Sequence, residues 1–96
     1  ATGARLVMIE EPGCSFCLRW RKEVEPGYVR SDEGRLAPLV RAMRDDPAVA
    51  GLPRIVYTPT FVLMKDQREI GRIVGYAGAE LFWWQIKPLI DSLPAH

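Results

Sequence analysis

The chain has 96 residues, of which 48% are hydrophobic and 26% charged, with a formal net charge of +1. A chain of this length forms one domain, here expected over residues 1–96 with its core at about 6–93, and buries about two-thirds of its unfolded surface. Lys and Arg are scattered, which leaves no electrostatic footprint for nucleic acid, and no apolar run approaches the roughly 18 residues of a membrane span.

The chain opens Ala-Thr-Gly-Ala, with no initiator Met and no basic-then-apolar leader, and residues 1–4 read as a frayed tail. Leu6, Val7, Met8 and Ile9 are four consecutive apolar residues, the pattern of a buried strand. Val7 and Ile9 project to one face and Leu6 and Met8 to the other, which predicts a central strand covered on two sides. Residues 10–13 break the strand with a Pro-Gly turn signal. Cys14 and Cys17 follow, three positions apart and the only cysteines in the protein. From Ser15 the apolar residues Phe16, Trp20 and Val24 recur at helical spacing, predicting a helix of about ten residues stopped by Pro26-Gly27. Trp20 is expected in the core, whereas Phe16, inside the motif, can face a partner.

A Cys-x-x-Cys at a helix start suits redox chemistry for physical reasons. The thiolate attacks a disulfide, so the outer cysteine must ionise near neutral pH. The unpaired N–H groups and positive dipole end of a first helical turn favour that anion. A second cysteine one turn on can attack the resulting mixed disulfide and release the product. Cys14 is thus the expected exposed nucleophile and Cys17 the buried resolving thiol. Two cysteines are too few for a disulfide framework or a four-ligand zinc site, and the single histidine, His96, is the last residue. Arg19 and Lys22, within about two turns of Cys14, can add positive potential or simply be solvated.

Residues 28–35 read as a short helical turn or loop, and Leu39–Met43 as a second strand. Asp46 is an expected N-cap, with Pro47 at the first position of a short helical segment through about Ala50. Gly51-Leu52-Pro53 ends it. Arg54 to Tyr57 leads into Thr58-Pro59-Thr60, and Phe61 to Met64 is the next buried strand. Lys65 to Arg68 is a polar turn, and Glu69 to Val74 completes a hairpin. After a loop at 75–78, a last helix runs from Ala79 to about Leu93, with Phe82, Ile86, Leu89, Ile90 and Leu93 as its buried stripe and a kink or restart at Pro88. Trp83 and Trp84 are adjacent on that helix and point about 100° apart, so one belongs in the core and the other, partly exposed, offers a docking surface. The order is β-α-β-α-β-β-α, an α/β fold.

That order, with Cys14-Ser15-Phe16-Cys17 after the first strand and Thr58-Pro59-Thr60 before the third, resembles the thioredoxin superfamily over nearly the whole chain. The resemblance implies a thioredoxin-like fold, with a central mixed four-stranded sheet flanked by helices. It also implies a cis peptide bond at Pro59 and a substrate groove bordered by Thr58, Pro59, Ser15 and Phe16. Residues 11–17, 57–64 and 69–84 are most similar to the small periplasmic thioredoxins of bacterial sulfur-oxidation clusters, the SoxS type. That likeness implies a bacterial periplasmic location, after removal of a targeting segment that this chain does not carry. It implies an upstream thiol electron donor, which can be membrane-bound, and a protein thiol or disulfide substrate such as the sulfur-carrier complex. No cofactor beyond the redox-active disulfide, no metal and no dimerisation module are expected, so a monomer is the simplest state. The departures are specific. Ser-Phe replaces the Gly-Pro best known between the cysteines and is nearer the Pro-Tyr of glutaredoxins, yet no glutathione grip is recognisable. The buried Asp that thioredoxin carries six residues before its first cysteine is Met8 here. If a carboxylate moves the proton of Cys17, Glu10 or Glu11 is the candidate; the alternative is that both are solvated loop residues and water does so.

Three functions remain in play. The first is a thiol–disulfide oxidoreductase working in the reducing direction. The second is a disulfide oxidase or isomerase using the same cysteines. The third is a non-catalytic, redox-sensing binding protein.

Overall fold

The structure is a computed structural model that describes residues 3–49, 51–52 and 55–93. The order is β1 (Ala4–Glu10), α1 (Ser15–Glu23), α2 (Glu25–Arg30), α3 (Asp32–Leu36), β2 (Leu39–Met43), a 3₁₀ turn (Pro47–Val49), β3 (Thr60–Lys65), β4 (Arg68–Val74) and α4 (Ala79–Asp91). The strands form one mixed sheet in the order β2-β1-β3-β4. β1 pairs in parallel with β2 (Leu6 opposite Leu39, Met8 opposite Arg41) and antiparallel with β3 (Leu6 opposite Leu63, Met8 opposite Phe61). The two-sided apolar pattern of residues 6–9 therefore marks a central strand, as expected. The tail at residues 1–4 needs correction: Ala4 is buried and opens β1, while Ala1 and Thr2 lie outside the described residues.

The alternation of β1 sorts the core into two layers. Leu6, Met8, Phe61, Leu63 and Ile73 face Cys17, Trp20, Val24 and Tyr28 from the first helices and Phe82, Ile86 and Ile90 from α4. Val7, Ile9, Val62 and Met64 face the other way and are covered by Val49, Leu52 and Ile55. Trp20 is fully buried, its ring centroid 4.9 Å from that of Phe61 and 5.4 Å from that of Phe82. Within the last helix, Leu89 and Leu93 are only half-buried at the margin of the stripe.

The β1–β2 crossover differs from the sequence expectation. α1 ends at Glu23, but Pro26 and Gly27 do not stop the helical path; both lie inside α2. Proline is tolerated in a first helical turn because its missing N–H has no intrahelical acceptor there. Of the two alternatives for residues 28–35 the helical one holds: 28–30 belong to α2 and 32–35 to α3, with Ser31 between them as the N-cap of α3. Tyr28 fixes the corner, its buried hydroxyl donating to the Ala37 carbonyl at 2.6 Å. Gly34 is the close approach: a Cβ there would stand 1.9 Å from the Tyr28 carbonyl oxygen. Because backbone cannot yield as a side chain can, Gly34→Ala is expected to lower stability by about 3 kcal/mol, at the upper end of overpacking costs. Urea unfolding checks this, and a change below about 1 kcal/mol would contradict the packing account.

Between β2 and β3 the expected second helix is a single 3₁₀ turn. Asp46 caps it as predicted, its carboxylate accepting from the Ala48 N–H at 2.8 Å, and Ala50, Pro53 and Arg54 lie outside the described residues. β3 and β4 are joined at Asp66-Gln67, both with positive φ (52° and 65°), the backbone of a type I′ hairpin turn. α4 is one continuous element through Pro88 rather than a helix that restarts. Phe82, Ile86 and Ile90 are buried on both sides of the proline, and the residue four before it, Trp84, is on the solvent side where its carbonyl can turn to water.

Candidate functional site

The site is built where β1 ends. Glu10 closes the strand, Pro12-Gly13 turns the chain, and Cys14 becomes the N-cap of α1. Gly13 supplies the positive φ of 80° that this tight turn requires. Cys14 and Cys17 are joined as a disulfide. Cys14 Sγ also accepts from the Cys17 N–H at 3.1 Å, so it takes up one of the orphan donors of the helix start. Cys14 is half-buried and Cys17 only 2% exposed. The outer sulfur can be reached by a partner and the inner one is sheltered.

Exposed side chains flank the disulfide. Ser15 and Phe16 are exposed, and Leu18 and Met43, also exposed, line a cavity of about 180 Å³ with both cysteines. The Thr58–Pro59 peptide bond is cis. Thr58 hydroxyl donates to Glu11 Oε1 at 2.8 Å, tying the loop before β3 to the loop before Cys14. Arg44 completes that tie, donating to Glu11 Oε2 at 3.2 Å and to the carbonyls of Ile55 and Val56.

The two carboxylates occupy different places. Glu10 is not a solvated loop residue but the last residue of β1, 6% exposed, because strand alternation turns it toward α1. Its Oε1 lies 3.5 Å from Arg21 and its Oε2 3.4 Å from Arg41, and Arg41 also meets Glu25 at 3.6 Å. Glu10, Glu11, Arg21 and Arg41 all line the cavity that holds Cys17. Sequence reasoning missed Arg21, Arg41 and Arg44. Arg21 had a signal, since it lies four residues beyond Cys17 on one helix face. Arg41 depended on the β1–β2 register, which no local pattern encodes.

Arg19 and Lys22, considered as sources of potential for Cys14, are both exposed. Arg19 pairs with Glu23 at 3.5 Å and lies over the Tyr76 ring. The hydrogen bond donated by Tyr76 is the main cause holding the Glu23 carboxyl below its ordinary 4.5, and burial with Glu23 nearby pushes Tyr76 up to about 12. Glu69 is held down likewise, first by its hydrogen bonds from Arg72. A carboxyl depressed by folding contributes stability above its unfolded pKa and loses it as pH falls through the folded one. The urea midpoint is therefore expected to be flat in these groups from about pH 7 to 5 and to fall between about pH 4.5 and 3. Glu23→Gln with Glu69→Gln should flatten that fall, and an unchanged acid limb would contradict the assignment.

Trp83 and Trp84 divide as expected. Trp83 packs against Tyr28 and Phe82, and Trp84 is 74% exposed. Among the described residues no group of three His, Cys, Asp or Glu is placed to hold a metal, and no helix is long and apolar enough to cross a membrane.

A reachable sulfur at a helix N-terminus, bonded to a sheltered one a turn further on, on a four-stranded mixed sheet, defines a thiol–disulfide oxidoreductase of the thioredoxin fold. No protein-family model matches the chain, and no curated protein matches it. Among solved structures it is similar to the reduced form of the periplasmic thioredoxin SoxS from Paracoccus pantotrophus, with 46% identity over 92% of this chain and 96% of that one and a TM-score of 0.84. A thioredoxin of Malassezia sympodialis, Mala s 13, shares the fold at 18% identity, 94% and 77% coverage and a TM-score of 0.70. The chain belongs to the thioredoxin superfamily, among thioredoxins of the SoxS type.

Proposed function

We propose that this chain is a protein disulfide reductase in which Cys14 attacks and Cys17 resolves. The observation that carries the reading is the asymmetry of the pair: Cys14 is half-buried at the N-cap of α1, and Cys17 is sheltered beneath it. The helix N-terminus favours the Cys14 thiolate over the thiol. That thiolate attacks a partner disulfide, one partner sulfur leaves as a thiolate, and Cys17 then attacks Cys14 to free the other. Ser15, Phe16, Thr58 and Pro59 form the groove in which the partner chain lies. The exposed apolar side chains of Phe16, Leu18, Met43 and Tyr57 suit a protein partner better than a small polar one. Both oxygens of Glu10 face guanidinium groups and both oxygens of Glu11 are hydrogen-bonded. These guanidinium and hydroxyl partners favour solvent over either carboxylate as the acceptor of the Cys17 proton.

The likeness to a periplasmic thioredoxin supports a periplasmic location and the reducing direction. It also supports a partner such as the sulfur-carrier complex of sulfur oxidation and an upstream thiol donor. The protein acts as a single-domain monomer whose one redox group is the disulfide. Insulin reduction with dithiothreitol as the electron source tests the reading. Catalytic turnover above the dithiothreitol background is expected, and a rate equal to background would contradict it.

A further inference from the structure

Arg21 carries a feature that the exchange described so far does not use. Its Nε is buried and has no hydrogen-bond acceptor among the described residues. Glu10 Oε1 stands 3.5 Å away, close enough for charge attraction but without the geometry of a hydrogen bond. Buried donors without acceptors are uncommon and call for a reason. Arg21 stands one helical turn after Cys17 on the same face of α1, and helical side chains lean back toward the preceding turn. Both residues line the same cavity.

The charged groups around that cavity come from every wall. β1 supplies Glu10, the following loop Glu11, α1 Arg21 and β2 Arg41, while the neighbouring Phe61 and Phe82 are apolar. Glu11 is engaged by Arg44, and Arg41 is shared between Glu10 and Glu25. The side chains lining the cavity carry no excess of charge, so beyond the helix N-terminus a preference for an anion at Cys17 is local to Arg21.

We propose that Arg21 assists the resolving step, its guanidinium stabilising across the shared cavity the Cys17 thiolate that forms once the disulfide is opened. The inference rests on the dithiol exchange proposed above. In the disulfide form Cys17 Sγ is bonded to Cys14 and carries no charge. In the mixed disulfide Cys17 gives its proton to solvent, and its thiolate attacks Cys14 Sγ. The Cys14–Cys17 bond forms, the bond between Cys14 and the partner breaks, and the partner sulfur leaves with the electron pair and takes a proton from solvent. Arg21 neither gains nor loses a proton.

In a Cys14→Ser background Cys17 is the sole thiol, and ultraviolet thiolate absorbance titrates it alone. Adding Arg21→Gln is expected to move the titration midpoint up by about one pH unit, the lower end of the effect of a neighbouring opposite charge. Arg21→Lys should restore part of the shift. Arg35→Gln, the same charge change at an exposed site, should move it by less than about 0.2 units. The two-cysteine protein gives the kinetic counterpart with the aromatic disulfide DTNB, which releases one thiolate when Cys14 attacks and a second when Cys17 resolves. A one-unit shift cuts the thiolate fraction about tenfold at low pH, while the greater basicity raises nucleophilicity about threefold. Arg21→Gln should therefore leave the first release unchanged, slow the second about threefold below the midpoint and speed it about threefold above. A merely structural role gives no such crossing. An unmoved midpoint, or two releases that change together, would overturn the proposal. A wild-type protein that gives no first release would instead overturn the dithiol reading itself.

Discussion

Cys14→Ser is expected to cut disulfide turnover by at least about a thousandfold, the scale on which losing a covalent nucleophile acts. Cys14 is the half-buried sulfur, and no other group of the chain can form the mixed disulfide, since Cys17 is 2% exposed. Cys17→Ser should behave differently. Cys14 still attacks, the resolving sulfur is missing, and a mixed disulfide with the partner accumulates. Neither change should unfold the protein. Serine is itself a favoured N-cap, so α1 keeps its cap in Cys14→Ser. The bridge spans a sequence separation of 3 and on the loop-entropy scale contributes at most about 2 kcal/mol. Insulin turnover and mass spectrometry of the trapped species read the two outcomes. If both variants lost activity without a trapped intermediate, the division of labour between the cysteines would be wrong.

Trp20→Ala should give the largest loss of stability, about 3–5 kcal/mol by urea unfolding. The ring is fully buried where α1, β3 and α4 meet, against Phe61 and Phe82, with the Tyr28 ring at 6.4 Å. A domain of this size has roughly 5–15 kcal/mol in all, so the loss removes a large share. Trp20→Phe separates packing from polarity. The indole Nε1 is buried without a hydrogen-bond partner, so phenylalanine keeps most of the ring contact and deletes an unsatisfied donor. Its cost should stay below about 1.5 kcal/mol. Equal costs for the two variants would mean that the ring contact phenylalanine can keep does not hold this corner.

The parts of the fold legible in the sequence are those set by short-range pattern. Residues 6–9 announced a central strand because both of their faces are apolar, and Asp46-Pro47 announced a capped turn. Cys14 before Ser15 announced a helix start. The misreadings arose where a local signal has two structural uses. Pro26 signals a stop in sequence and serves as a first-turn residue in the fold. Glu10 reads as loop because it precedes Pro12, yet it belongs to the strand and is turned inward. Arg21, Arg41 and Arg44 escaped because two of them reach the site through strand register and loop closure, contacts between residues more than 30 positions apart. The cysteines and the Thr58-Pro59 motif were legible; the ionic lining of the cavity between them was a product of the fold.

The equilibrium reduction potential of the Cys14–Cys17 pair tests the central claim most directly. A reductant of partner disulfides should lie near the thioredoxin end of the range, about −270 to −220 mV. A value near −120 mV, with a strongly acidic Cys14 thiol, would contradict the reducing assignment and make the same two sulfurs an oxidant.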